Sequence, residues 1–304
     1  MFSIALTIAP IFALILMGYV FKRTGFPGDG FWPPAERLAY YVLLPVLIVH
    51  NMARADLAAY SIPSIAVTIV GVALCMTALA FVLRPACRFE GPVFTSFLQG
   101  AIRINSYMAL AVADAVFGVQ GVALGALFIA VMMPTVNVIS IAALAAFNGA
   151  ETADWSRVPR EIARNPIILG CLVGWIVNIS AVPLPGALVA LMEILSRAAL
   201  PIALLAVGAG LVLALERARV TALGLACLLK LAAMPAAAWA LASAMGLDGL
   251  AFSVVILFAA TPASPASYVL ARQMGGDAPL MAAILTSQIA LAALSLPLIL
   301  FWTM

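Results

Sequence analysis

Windows of about 20 apolar residues, the length that crosses roughly 30 Å of hydrocarbon, follow one another along this 304-residue chain almost without pause. Each such run reads as a membrane-spanning helix. Charged residues make up 9% of the chain and hydrophobic ones 66%, whereas a soluble domain carries about 25% charged residues. The expected class is therefore an all-α integral membrane protein with no segment left over for a soluble domain.

Ten spans are expected, at residues 3–22, 35–52, 62–83, 93–117, 121–147, 165–181, 187–213, 220–244, 250–271 and 278–302. Only residues 148–164, "NGAETADWSRVPREIAR", read as a hydrophilic linker, which separates a first half, residues 1–147, from a second, residues 165–304. The first run has Lys22 and Arg23 behind it and no basic residue ahead. That is the reverse of a secretory signal, so an uncleaved span is expected. Cys75, Cys87, Cys171 and Cys227 have no paired spacing, so neither a metal site nor a disulfide framework is expected, and no cofactor.

Lys and Arg beside span ends stay on the cytoplasmic side. The loops after spans one, three, five, seven and nine hold Lys22, Arg23, Arg84, Arg88, Arg157, Arg160, Arg164, Arg217, Arg219 and Arg272, and the opposite loops hold only Arg54. Both termini are expected outside. At a net charge of only +3 the basic excess signals topology, and no nucleic-acid partner is expected.

The halves repeat. "PIFALILMGYV" from Pro10 and "PIILGCLVGWI" from Pro166 share Pro, Ile, Leu and Gly at an offset of 156, which also brings Pro27 onto Pro183, Gly30 onto Gly186 and Leu44-Pro45 onto Leu200-Pro201. Further on the offset is 158, placing Gly91, Phe94, Ala101, Ser106 and Gly118 on Gly249, Phe252, Ala259, Ser264 and Gly276. Each repeat holds an odd number of spans, so the second enters the membrane inverted. Inverted repeats permit two related conformations around a site at the bilayer midplane, which argues for a transporter. An intramembrane enzyme or receptor is the competing class. An enzyme would need a nucleophile, a metal site or an acid cluster, and the sequence holds no His-Glu-x-x-His and no Gly-x-Ser-x-Gly.

Spans four and nine are interrupted at matching depths. In "AATPASPASYVLARQMGGD" the break falls at Pro262, Ala263, Ser264 and Pro265, and position 263 corresponds to Asn105 in "QGAIRINSYMALAVADAVFG". Proline removes an N–H and clashes with the preceding turn. A break inside a membrane is tolerated only where protein or a water-filled cavity lines it. Ser264-Pro265 reads as a helix start and Asn105-Ser106 as its counterpart, so two helix N-termini, favourable to an anion, are expected to converge at the midplane. Arg103 lies two residues before the break and Lys230 near the middle of span eight, where a charge costs about 2.5 to 3.5 kcal/mol. Excess positive charge at depth points to a negatively charged substrate. Tyr107 and Gln288 join the expected substrate-binding set, and Gln99, Asn137 and Asp114 are candidates for a coupling ion.

"RINSYMALAVADAVFG", "TPASPASYVLARQMGGD" and the repeated Leu-Pro of spans two and seven resemble the auxin efflux carrier family, in particular its bacterial malonate or malate permease-like members. The resemblance covers essentially the whole chain. It implies ten helices in two inverted five-helix repeats with broken crossover helices four and nine, similar to bile-acid symporters and sodium/proton antiporters. It also implies a scaffold domain from spans one, two, six and seven, often dimeric, and a mobile transport domain from spans three to five and eight to ten that moves like an elevator. The expected function is secondary active or facilitative transport of a small organic anion, a mono- or dicarboxylate, in a bacterial inner membrane. A sodium-coupled symporter remains open. A cation/proton antiporter of the same fold is a rival that would need a deep acid, for which Asp114 is the nearby candidate.

Overall fold

The computed structural model describes residues 2–148, 163–180, 184–212 and 219–303; Arg157, Arg160, Arg217 and most of the 148–164 linker lie outside the described residues. Every regular element among the described residues is helical. Six helices are long and apolar enough to cross a membrane, and two shorter ones, Pro166–Ser180 and Gly249–Ala260, are equally apolar in kind. Helices α1 (Phe2–Thr24), α2 (Trp32–Leu38), α3 (Leu44–Met52) and α4 (Ile62–Cys87) open the chain. Pro33 and Pro34 occupy the first turn of α2, where a missing N–H is harmless, so this span begins at Trp32 and not at the expected residue 35.

Two wide turns share one cause. A π-helical turn, Ala39–Leu43, joins α2 to α3, and another, Leu229–Ala233, joins α9 (Val220–Leu228) to α10 (Met234–Ala244). Each lies directly before a proline, Pro45 or Pro235. A proline ring collides with the carbonyl four residues back and offers no N–H. Widening the turn ahead of it relieves the collision without ending the helix.

Close helix packing relies on glycine. A Cβ added to Gly18 of α1 would run into the Leu205 carbonyl of α8 (Gly186–Ala209), and one added to Gly208 into the Ile15 carbonyl. On the other side, α7 (Pro166–Ser180) lays Gly174 against Val49 and Met52 of α3, and Gly170 against Pro45. Gly18 and Gly174 are 156 residues apart, as are Val49 and Leu205. The same small-residue contact, through which membrane helices approach one another, thus occurs twice between the halves, with their roles exchanged.

The broken helices obey the second offset. Helices α5 (Gly91–Ile102) and α11 (Gly249–Ala260) each have 12 residues and are 158 apart at both ends. Each ends in one extended residue, Arg103 (φ −79°, ψ 154°) and Thr261 (φ −74°, ψ 149°). The chain then resumes helix in α6 (Ser106–Asn148) and α12 (Ala266–Gln273), and α13 (Ala278–Thr303) completes the chain. Within α6, Gly118 (φ 58°, ψ −145°) turns the chain between the segments expected as spans four and five, a conformation only glycine adopts without strain. Span seven was expected to reach residue 213, yet α8 stops at Ala209, and the Gly210 N–H, shared between the Ala206 and Val207 carbonyls at 3.1 and 3.2 Å, closes its last turn.

Candidate functional site

The two breaks meet. The Asn105 N–H donates to the Pro262 carbonyl at 2.7 Å, so an orphan donor of the first break is paired with an orphan acceptor of the second. Asn105 also caps the helix it precedes, its Oδ1 accepting the Met108 N–H at 3.1 Å. In the second break Pro265 already has helical dihedrals (φ −54°, ψ −29°), and Ser264 Oγ accepts the Ala266 N–H at 3.3 Å. Both junctions are therefore capped helix starts.

Two buried side chains from other helices satisfy further backbone groups at and beside the breaks. Gln288 of α13 accepts the Ala263 N–H at 2.8 Å and donates its amide to the carbonyls of Gly100 at 2.9 Å and Ala226 at 3.1 Å. It thereby links both breaks to α9. Lys230 donates from its ammonium nitrogen to the Ala259 carbonyl at 3.0 Å and to the Met234 sulfur at 2.8 Å. The carbonyl end of α11 carries the negative pole of that helix, so a cation is favourable there. Lys230 and Gln288 are both fully buried.

A cavity of about 500 Å³ opens beside the breaks, within the range of small-molecule sites. Its wall includes Arg103, Asn105, Ser106 and Tyr107 from the first break and Ser264, Pro265 and Ala266 from the second. Asn137 of α6 also lines it. Facing them are Glu36, Arg37, Tyr40 and Tyr41 from α2 and its π turn. Two arginines against one glutamate leave the wall with an excess of positive charge. The side-chain amide nitrogen of Asn105 is buried here without a hydrogen-bond partner among the described residues, a donor that a bound acceptor would satisfy.

Of the residues expected to bind substrate, Arg103, Asn105, Ser106, Tyr107, Ser264 and Pro265 come together on this wall. Pro262 and Ala263 lie buried behind it as backbone partners of Asn105 and Gln288, and Lys230 and Gln288 are not part of the lining. Among the coupling-ion candidates, Asn137 lines the cavity, Gln99 is fully buried elsewhere without a partner, and Asp114 is exposed on α6. Sequence reasoning missed Glu36, Arg37, Tyr40 and Tyr41. A charged pair and a tyrosine pair within six residues at the start of an apolar span was the available signal. The four cysteines are free thiols, and no acid, histidine or cysteine cluster among the described residues could hold a metal ion.

The sequence model of a family described as "Membrane transport protein" matches residues 3–300. A protein of Methanothermobacter thermautotrophicus described as an uncharacterized transporter is 25% identical over 297 residues, covering 96% of this chain and 96% of its own.

Proposed function

Because this chain belongs to the membrane transport protein family, the family of the auxin efflux carriers, we propose that it is a secondary active or facilitative carrier of a small organic anion, a mono- or dicarboxylate such as malonate or malate. The observation that carries this reading is the single cavity shared by Arg103, the capped start of α6 and the capped start of α12. Each helix start carries a partial positive charge, and at the first of them the buried Asn105 side-chain amide offers N–H donors. A carboxylate placed there accepts from them and from the guanidinium, which can hold it with two parallel hydrogen bonds.

Transport requires the site to face each side in turn. Two inverted five-helix repeats supply two such conformations, and the reading is supported by equal half-helices 158 residues apart and by the glycine contact repeated at 156. In this scheme α1 to α3, α7 and α8 form a scaffold that pairs in a homodimer, and the remaining helices form a transport domain that slides past it as an elevator. The cavity between α2 and the breaks then lies at the boundary of the two parts. Both termini face outward from a bacterial inner membrane, following the basic residues of the loops.

Proton coupling is a second reading of the same site, favoured by Glu36, the carboxylate on the cavity wall. Its test is whether Glu36→Gln exchanges labelled substrate normally yet no longer responds to a pH gradient.

The test of the proposed function is counterflow into liposomes. Protein loaded inside with unlabelled malonate, malate, lactate or indole-3-acetate is supplied outside with the labelled acid, with and without sodium. Accumulation of one acid is the expected result, and its sodium dependence identifies one coupling ion. Absence of accumulation for every acid, from protein that unfolds cooperatively, would contradict the carrier reading.

A further inference from the structure

A second pocket, of about 570 Å³, lies at the C-terminal end of α4, lined by Phe81, Arg84, Pro85, Arg88, Phe89 and Glu90. Its distinctive element is the way Arg84 is held. The guanidinium carbon sits 3.9 Å from the centre of the Phe147 ring and 5.1 Å from that of Phe94. These two rings meet edge to face at 5.2 Å, and Phe81 packs against both, at 5.9 and 5.0 Å. Three helices, α4, α5 and α6, thus build a fixed aromatic platform for one cation.

Stacking engages the flat face of a guanidinium and leaves its N–H edge available for an oxyanion. Neither Arg84 nor Arg88 forms an ion pair with a carboxylate among the described residues, although Glu90 lies on the same rim. Arg88 follows Arg84 by about one turn and ends α4 in the left-handed conformation (φ 53°), exposed to solvent. Beside them Phe81 and Val82 are 41% and 68% exposed, an apolar flank next to a basic rim. Fixing topology or balancing the helix dipole needs only charge near the span end. It needs no ring platform and no pocket.

We propose that this pocket binds the headgroup of an anionic phospholipid, its phosphate held between Arg84 and Arg88 and its acyl chains lying along Phe81 and Val82. Basic pockets between membrane helices on the cytoplasmic side suit such headgroups. The proposal rests on the orientation proposed above from the basic loop residues, which assigns this end of α4 to the cytoplasm. One platform ring, Phe94, belongs to α5, which leads directly into Arg103, so the lipid braces the half-helix that runs to the central cavity.

The test uses purified full-length protein in nanodiscs of phosphatidylcholine with a minority of phosphatidylglycerol, with retained lipids counted by native mass spectrometry. It requires neither transport nor a defined orientation, so its outcome is separate from that of counterflow. Wild type is expected to retain phosphatidylglycerol preferentially. Arg88→Gln, at an exposed position, should reduce that preference about fivefold, and Arg84→Gln combined with Arg88→Gln about thirtyfold. The single Arg88→Gln variant keeps the test meaningful where loss of the Arg84 platform impairs folding. Equal retention by wild type and Arg88→Gln would overturn the proposal. So would inorganic phosphate raising the unfolding temperature as much as the lipid does, because the ligand would then be a free anion.

Discussion

The two breaks follow half-helices of equal length and begin alike with an extended residue, but their chemistry is opposite. The second, Thr261 to Pro265, contains two prolines within four residues, each of which lacks an N–H and crowds the preceding turn. The first, Arg103 to Asn105, contains none. Its extended conformation is held by the Asn105 cap, by the Asn105 N–H to Pro262 hydrogen bond and by Gln288 on the Gly100 carbonyl. One break is made locally and the other is made by its neighbours. The charge follows this division: the proline break has no ionisable residue, and the proline-free break carries Arg103. A substrate that draws on Arg103 therefore acts on the break whose geometry depends on the rest of the protein.

Gln288→Leu should test this dependence most severely, since it strips partners from three buried backbone groups at once. A loss of about 3 kcal/mol is expected, read as a lower unfolding temperature together with loss of transport. Asn105→Ala comes next, at about 2 kcal/mol, because the first break has no proline to replace the lost cap. Lys230→Met should cost about 1 kcal/mol. It leaves the Ala259 carbonyl unpaired, but removing a fully buried amine offsets part of that loss. Ser264→Ala should be the mildest, at about 0.5 kcal/mol, because Pro265 already fixes the helical start. Thermal unfolding of the four variants checks the order. Equal losses for Asn105→Ala and Ser264→Ala would remove the distinction between the two breaks.

Much of the site was legible in the sequence for the same reason. Pro262 and Pro265 announce their break locally, and the repeat transfers it to Asn105, where no local signal would have sufficed. The glycine contacts and half-helix lengths likewise follow the two offsets found by comparing the halves. Lys230 and Gln288 were legible as deep polar residues but not in their orientation. Both turn toward the backbone of the breaks and away from the cavity, because orphan carbonyls and amides in an apolar interior need partners. Glu36, Arg37, Tyr40 and Tyr41 were overlooked because a charged pair at a span end reads as an interfacial flank. Only the packing of α2 across from the breaks brings them onto the cavity wall. The span holding α2 starts at Trp32, ahead of the expected residue 35, because Pro33 and Pro34 fit the first turn of a helix.

The central claim is that the proline-free break holds an anion through Arg103. Calorimetric titration of the substrate identified by counterflow into wild type and Arg103→Ala, with the unfolding temperature of each measured alongside, tests it most directly. The account predicts about hundredfold weaker binding by the variant, the loss of a charge-assisted hydrogen-bonded pair, with a far smaller change in folding stability. Equal affinity in the two proteins would contradict it.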